Sequence, residues 1–159
     1  VFQILSDDQI PNTVNLVGIN SPGLTSSLPI ARRVVAKIKE QEALSENPDF
    51  NPRRKGIVRF SEQTKEVQDQ LIKQDPDYGE IYCRCECVTK AEIKQAIHNI
   101  LGVCTVSGIK YRTRATMGRC QGGFCGPRVI EIIARELGIS PDEVCKNDEG
   151  SEMLTGFVR

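Results

Sequence analysis

"IYCRCECVTK", Ile81 to Lys90, places cysteines at three alternate positions, Cys83, Cys85 and Cys87, directly before a helix start at Thr89. Side chains of an extended segment alternate between two sides, so these thiols are expected to share one side. A second group, "CQGGFCGP", runs from Cys120 to Pro127, and 34 residues separate Cys85 from Cys120. The combined pattern is C-x-C followed by C-x4-C. Four thiolates from two short loops form the ligand set of a [2Fe–2S] cluster or of tetrahedral zinc. Ligand count does not separate the two metals. The C-x-C spacing favours iron–sulfur slightly, because zinc knuckles commonly use C-x2–4-C.

The surrounding sequence supports a metal centre. Thr89 and Glu92 make a T-x-x-E capping box, and Ile93, Ala96, Ile97, Ile100 and Leu101 follow as one helical stripe closed by Gly102. Pro127 opens another helix, with Val129, Ile130, Ile133 and Leu137 on its apolar face and Gly138 at its end. If the two helices pack as a hairpin, their N-terminal ends face one point and offer unpaired N–H groups to the sulfurs. Gly122 and Gly123 let backbone approach closely, and Arg84, Arg112, Arg114 and Arg119 add positive charge. Between the helices, "SGIKYRTRATMGRC" alternates apolar or small residues with basic ones and reads as extended or loop. Ser140 to Glu143 begins a short third helix that is expected to hold Cys145, and the tail "GSEMLTGFVR" suggests a last strand.

Composition narrows the function classes. Lys plus Arg equals Asp plus Glu at 21 each among 159 residues. Zero net charge argues against a general nucleic-acid or membrane-surface binder. No apolar run is long enough to suggest a membrane span, and no secretory leader is visible. The seven cysteines all fall after residue 80. Tight cysteine pairs in a chain of this kind point to metal binding in a reducing, cytoplasmic compartment. The start at Val1 reads as a cut inside a fold, so a piece of a longer protein is expected.

The N-terminal part has a different character. "VNLVGI", Val14 to Ile19, reads as a buried strand. A Gly/Ser/Pro turn follows, then a helix with Pro29 in its first turn and Ala31, Val34, Val35 and Ile38 on one face. Residues 1–45 thus resemble the end of an α/β domain. Residues 46–79 read as a connecting arm with a short strand at "GIVRF", a helix capped by Ser61 and a turn at Asp75 to Gly79. Residues 80–146 form the cysteine-bearing domain, and 147–159 a tail. The expected fold class is mostly α: a small helical metal-binding domain after a terminal strand–helix fragment.

"CRCE", "VTKAEI", "RTRATMGRCQGGFC" and "EIIARELGI" resemble the bacterioferritin-associated-ferredoxin-type [2Fe–2S] domain, in the version found at the C-terminus of FAD-dependent glycerol-3-phosphate dehydrogenases. The resemblance covers about residues 81–139. It implies cluster ligation by Cys83, Cys85, Cys120 and Cys125, and it does not need Cys87, Cys104 or Cys145. Cys104 and Cys145 are expected to be packing residues. Cys87 could replace a neighbouring ligand, or undergo oxidation. "GINSPGLTSSLPIA" resembles the last flavin-contacting segment of the D-amino-acid-oxidase-like superfamily, which assigns Gly23, Leu24 and Thr25 to the pyrimidine edge of FAD. Backbone N–H groups there would stabilise the negative charge of a reduced flavin.

The resemblance implies an FAD-dependent oxidoreductase whose cluster relays electrons from reduced flavin to an acceptor. The chain lacks the G-x-G-x-x-G dinucleotide fingerprint, so by itself it is not expected to turn over substrate. Its expected partners are an N-terminal FAD and substrate domain of the same protein and a redox partner. Lys110, Arg112, Arg114 and Arg119 could dock an acidic partner, or could simply solvate a loop and balance cluster charge. His98 is expected to be solvated. A zinc-stabilised interaction module and a thiol redox sensor remain open as alternatives.

Overall fold

A computed structural model describes residues 2–7 and 9–156 of the chain. It divides into two compact units, residues 1–53 and 54–159.

In the first unit, strands β1 (Gln3–Asp7) and β2 (Ile10–Val17) form an antiparallel hairpin, and helix α1 spans Ser27–Gln41. The expected strand therefore begins and ends earlier than Val14 to Ile19. None of the α1 residues is buried. One hairpin and one helix offer too few faces to enclose a core. The turn before α1 closes tightly, with the Gly23 amide donating to the Asn20 carbonyl at 2.5 Å. A Cβ at Gly23 would lie 2.6 Å from both Asn20 O and Ile19 Cγ2, so local packing alone demands glycine there.

The second unit contains α2 (Lys65–Gln74), strands β3 (Ile81–Cys83) and β4 (Val88–Thr89), and helices α3 (Lys90–Ile97), α4 (Val106–Thr113) and α5 (Gly126–Leu137). "GIVRF" forms no strand; Phe60–Glu62 is instead a 3-10 turn, and α2 starts after Thr64 rather than Ser61. Asp75 caps a 3-10 turn over Pro76–Gly79 by accepting from the Asp77 amide. This turn packs on both α2 and α3, so residues 54–79, read as part of an arm, lie in the same unit as the cysteines.

The core lies between α3, α4 and α5. Ile93, Ile109, Val129, Ile132, Ile133 and Val144 are fully enclosed. The capping box at Thr89 is complete, with the Glu92 carboxylate accepting from the Thr89 amide at 2.8 Å and Thr89 Oγ1 accepting from the Glu92 amide. Helix α3 stops at Ile97, four residues before the expected end. Ile100 and Leu101 are exposed at 87% and 60%, and Gly102 has a φ of +56° in the reversing turn.

The segment expected to be extended or loop is largely α4. Thr105 caps it by accepting from the Gly108 amide, and only Val106, Ile109 and Thr113 are buried. Those three positions follow helical spacing. The basic residues between them create the apparent alternation. After α5, Gly138 adopts the left-handed conformation, with the Ile139 amide donating to the Ala134 carbonyl. The third helix is one 3-10 turn, Pro141–Glu143, and Cys145 lies beyond it. The expected terminal strand reduces to one bridge between Cys145 and Glu152, and its residues 157–159 fall outside the described residues. Among the described residues, no helix is long and apolar enough to cross a membrane.

Candidate metal centre

Two loops present the cysteines. The first is the β3–β4 hairpin, where Cys83 ends β3 and residues 84–87 turn back to Val88. The second is the glycine-rich loop leading from α4 into α5. Their thiols converge: Cys85 Sγ and Cys120 Sγ are 3.5 Å apart, and Cys83 and Cys125 are buried in the same core cluster. Cys83 and Cys125 are buried at 1% exposure each, whereas Cys85 and Cys120 are exposed. The four sulfurs thus stand as an inner and an outer pair.

Cys87 is not a third member of a strand face. It lies in the turn with a φ of +52°, and its thiol points to the Arg84 carbonyl at 3.7 Å. The shared side expected for the three thiols is lost because the extended segment ends at Cys83. Cys104 is exposed rather than packed, and Cys145 is partly buried with its thiol near the Glu143 carbonyl.

The donors to sulfur come mainly from the second loop. Amides of Phe124 and then Gly122, together with the Cys85 thiol, hold the Cys120 thiol below its usual pKa. Burial first, then the Cys83 thiol, pushes Cys125 up to about 11, against a partly opposing hydrogen bond from the Thr116 backbone. The buried Cys125 thiol therefore holds its proton more tightly than the Cys120 thiol does. Three amides at the start of α3 are already engaged within the fold. Its Thr89 and Glu92 amides serve the capping box, and its Lys90 amide donates to the Glu80 carbonyl.

Backbone shape explains the glycines. Gly122 has a φ of +85° and faces Thr116, where an added Cβ would meet Thr116 Cβ at 3.2 Å. An added Cβ at Gly118 would fall inside the Cys85 side chain. The Gly118–Cys85 approach brings the two loops together, while the Gly122–Thr116 approach folds the second loop on itself.

The basic residues are distributed unevenly. Arg114 is paired with Glu86 at 2.7 Å, which ties the end of α4 to the first loop. The Arg84 guanidinium lies over the Phe124 ring at 4.6 Å and links the two loops on the exposed side. Arg128, missed in the sequence reading, braces the hairpin. It donates to the Ile81 carbonyl at 3.0 Å, pairs with Glu80 at 2.7 Å and covers the Tyr82 ring at 4.1 Å. His98 is paired with Glu136 at 2.8 Å across α3 and α5 rather than simply solvated.

The donor set fits a two-iron centre. Among the described residues, no group of three or more His, Cys, Asp or Glu side chains is set around one metal ion. Four cysteine thiols from two loops are the ligand chemistry of a [2Fe-2S] cluster. Gly23, Leu24 and Thr25 lie in the first unit, in the turn before α1. Leu24 is 89% exposed, and Thr25 Oγ1 donates to the Pro22 carbonyl at 2.9 Å.

Residues 81–135 match the BFD-like [2Fe-2S] binding domain. The chain is 47% identical over 144 residues to a glycerol 3-phosphate dehydrogenase of Caloramator mitchellensis, covering 90% of this chain and 30% of that protein. It is 38% identical over 86 residues to hydrogen cyanide synthase subunit HcnB of Pseudomonas aeruginosa, covering 52% of this chain and 17% of the relative. Anaerobic glycerol-3-phosphate dehydrogenase subunit A1 of Haloferax volcanii is 32% identical over 83 residues, 52% of this chain and 13% of the relative. The chain thus spans 30% or less of the length of these relatives. No solved structure gave a significant match.

Proposed function

We propose, for a chain whose residues 81–135 form a BFD-like [2Fe-2S] binding domain, that Cys83, Cys85, Cys120 and Cys125 hold the cluster and that the module relays electrons within an FAD-dependent oxidoreductase resembling glycerol-3-phosphate dehydrogenase. The observation that carries this reading is the meeting of Cys85 and Cys120, with Cys83 and Cys125 beneath them, inside the matched segment. When bound, the cluster supplies single-electron transfer, whereas a reduced flavin holds two electrons.

The protein's own residues then have separate tasks. Cys83 and Cys125 anchor the buried side and exclude water. Cys85 and Cys120 hold the solvent-facing side. The Gly122 and Phe124 amides offset negative charge on Cys120. Gly23, Leu24 and Thr25 contact the flavin in the larger protein, a role supported by the resemblance of their turn to a flavin-contacting segment. The chain is similar to relatives named for different reactions, a dehydrogenase and a synthase, which supports a substrate set outside it. A cytoplasmic, reducing setting belongs to the same reading, as does a redox partner that takes the electron.

The test uses the full-length protein under anaerobic conditions with glycerol 3-phosphate as the probe substrate. Electron paramagnetic resonance is read on the turnover timescale. A reduced-cluster signal appearing with flavin reduction supports the relay. Flavin reduction with a persistently oxidised cluster leaves the centre a structural role.

A further inference from the structure

We propose that Cys104 and Cys145, two cysteines outside the metal centre, are a dithiol pair that a small disulfide converts into an intramolecular disulfide bond.

The fold brings their segments together. The Val106 amide donates to the Cys145 carbonyl at 3.1 Å, and the Ser107 amide donates to the Lys146 carbonyl at 2.9 Å. The chain that carries Cys104 into α4 therefore runs beside the chain that leaves the 3-10 turn at Pro141–Glu143. Backbone segments bonded in this way lie about 5 Å apart. A disulfide spans about 4.4–6.8 Å between Cα atoms. Both cysteines line one groove at this seam. Cys104 is exposed, Cys145 is partly buried, and both are free thiols. Cys145 Sγ makes only long contacts, 3.7 Å to the Glu143 carbonyl and 3.9 Å to the Glu152 carboxylate. Turning it toward Cys104 therefore breaks no strong hydrogen bond.

The chemistry is thiol–disulfide exchange. The Cys104 thiolate attacks one sulfur of the small disulfide RSSR, whose S–S bond breaks and releases RS⁻. The Cys145 thiolate then attacks the Cys104 sulfur of the mixed disulfide and releases the second RS⁻. The two protein thiols together lose two electrons and two protons, which the small disulfide gains as it becomes two RSH. Cys104 attacks first because it is the more exposed thiol. Asp142, Glu143, Asp148, Glu149 and Glu152 line the same groove, so a cationic disulfide is the co-reactant that its charge admits. The bond closes a ring from Cys104 to Cys145 that contains α4, the second cysteine loop and α5. It constrains the unfolded chain and leaves the helices in place.

The test treats the whole chain, prepared anaerobically, with cystamine and maps the product by trypsin digestion and mass spectrometry. Trypsin isolates Cys104 in the peptide Gln95–Lys110 and Cys145 in Glu136–Lys146, and neither peptide holds another cysteine. The readout is therefore independent of the metal ligands. The expected result is these two peptides joined with the loss of two hydrogens and separated again by dithiothreitol, with a higher urea midpoint for the oxidised chain. In Cys104→Ser the Cys145 thiol should instead retain a cysteamine adduct. Cysteamine adducts persisting on both thiols of the unsubstituted chain, both thiols remaining free, or either one bonded to Cys87 overturns the proposal.

Discussion

Cys85 and Cys120 lie 35 positions apart in the chain and bring their sulfurs to 3.5 Å on the exposed side of the second unit. That approach depends on Gly118, because a side chain there would occupy the space of Cys85. Beneath it, Cys83 and Cys125 tie the same two loops into the core. The proposed metal centre and the core are therefore coupled.

Gly118→Ala should lower both stability and iron content. Overpacking at such a site costs about 1–3 kcal/mol. Gly126→Ala is the control, since nothing lies within 4 Å of an added Cβ at this first residue of α5. Iron per chain and the urea midpoint should fall for the first variant and hold for the second.

Thr89→Ala removes the hydroxyl that accepts from the Glu92 amide and donates to the Glu92 carboxylate. Both residues are buried, at 0% and 3% exposure. The expected loss is about 1–2 kcal/mol, read as a lower urea midpoint at unchanged slope.

Ile133→Ala should cost about 2–5 kcal/mol, because its side chain is fully enclosed between the helices. Ile100→Ala should stay within about 0.5 kcal/mol, since Ile100 is 87% exposed. The contrast is measured by chemical denaturation. A large cost at Ile100 would place it in a helix continuing past Ile97.

The spacing within each cysteine pair, the Thr89 capping box and the α5 face were legible because each depends on residues within a few positions. The end of α3 was not. Ile100 and Leu101 continue the stripe, but the chain reverses after Ile97 so that Val103 and Val106 can enter the core. Helix α4 was hidden by Lys110 and Arg112, which made its helical core positions look alternating. The inner and outer ranks of the thiols were also invisible, since burial depends on how the hairpin meets α5. Arg128 gave no local signal, because its partners Glu80 and Ile81 lie nearly 50 residues upstream.

Asp77 is clamped by Lys90 at 2.8 Å and Lys94 at 3.0 Å. The Lys90 hydrogen bond, with Lys94 assisting, holds its carboxyl below the ordinary carboxylate range. A depressed folded-state pKa gives stability that is fully present above the unfolded value of about 3.9 and lost as pH falls through the folded value. Asp77→Asn should therefore cost about 1 kcal/mol at pH 7, and the difference from the unsubstituted chain should shrink as pH falls below about 4. Thermal unfolding across that range measures it.

The most direct measurement is iron and acid-labile sulfide per chain, with the visible absorption spectrum, on anaerobically prepared protein. A [2Fe-2S] domain predicts two of each and a brown protein with charge-transfer bands that bleach on reduction with dithionite. A colourless chain holding one equivalent of zinc, and taking up no iron and sulfide on reconstitution, would contradict the account.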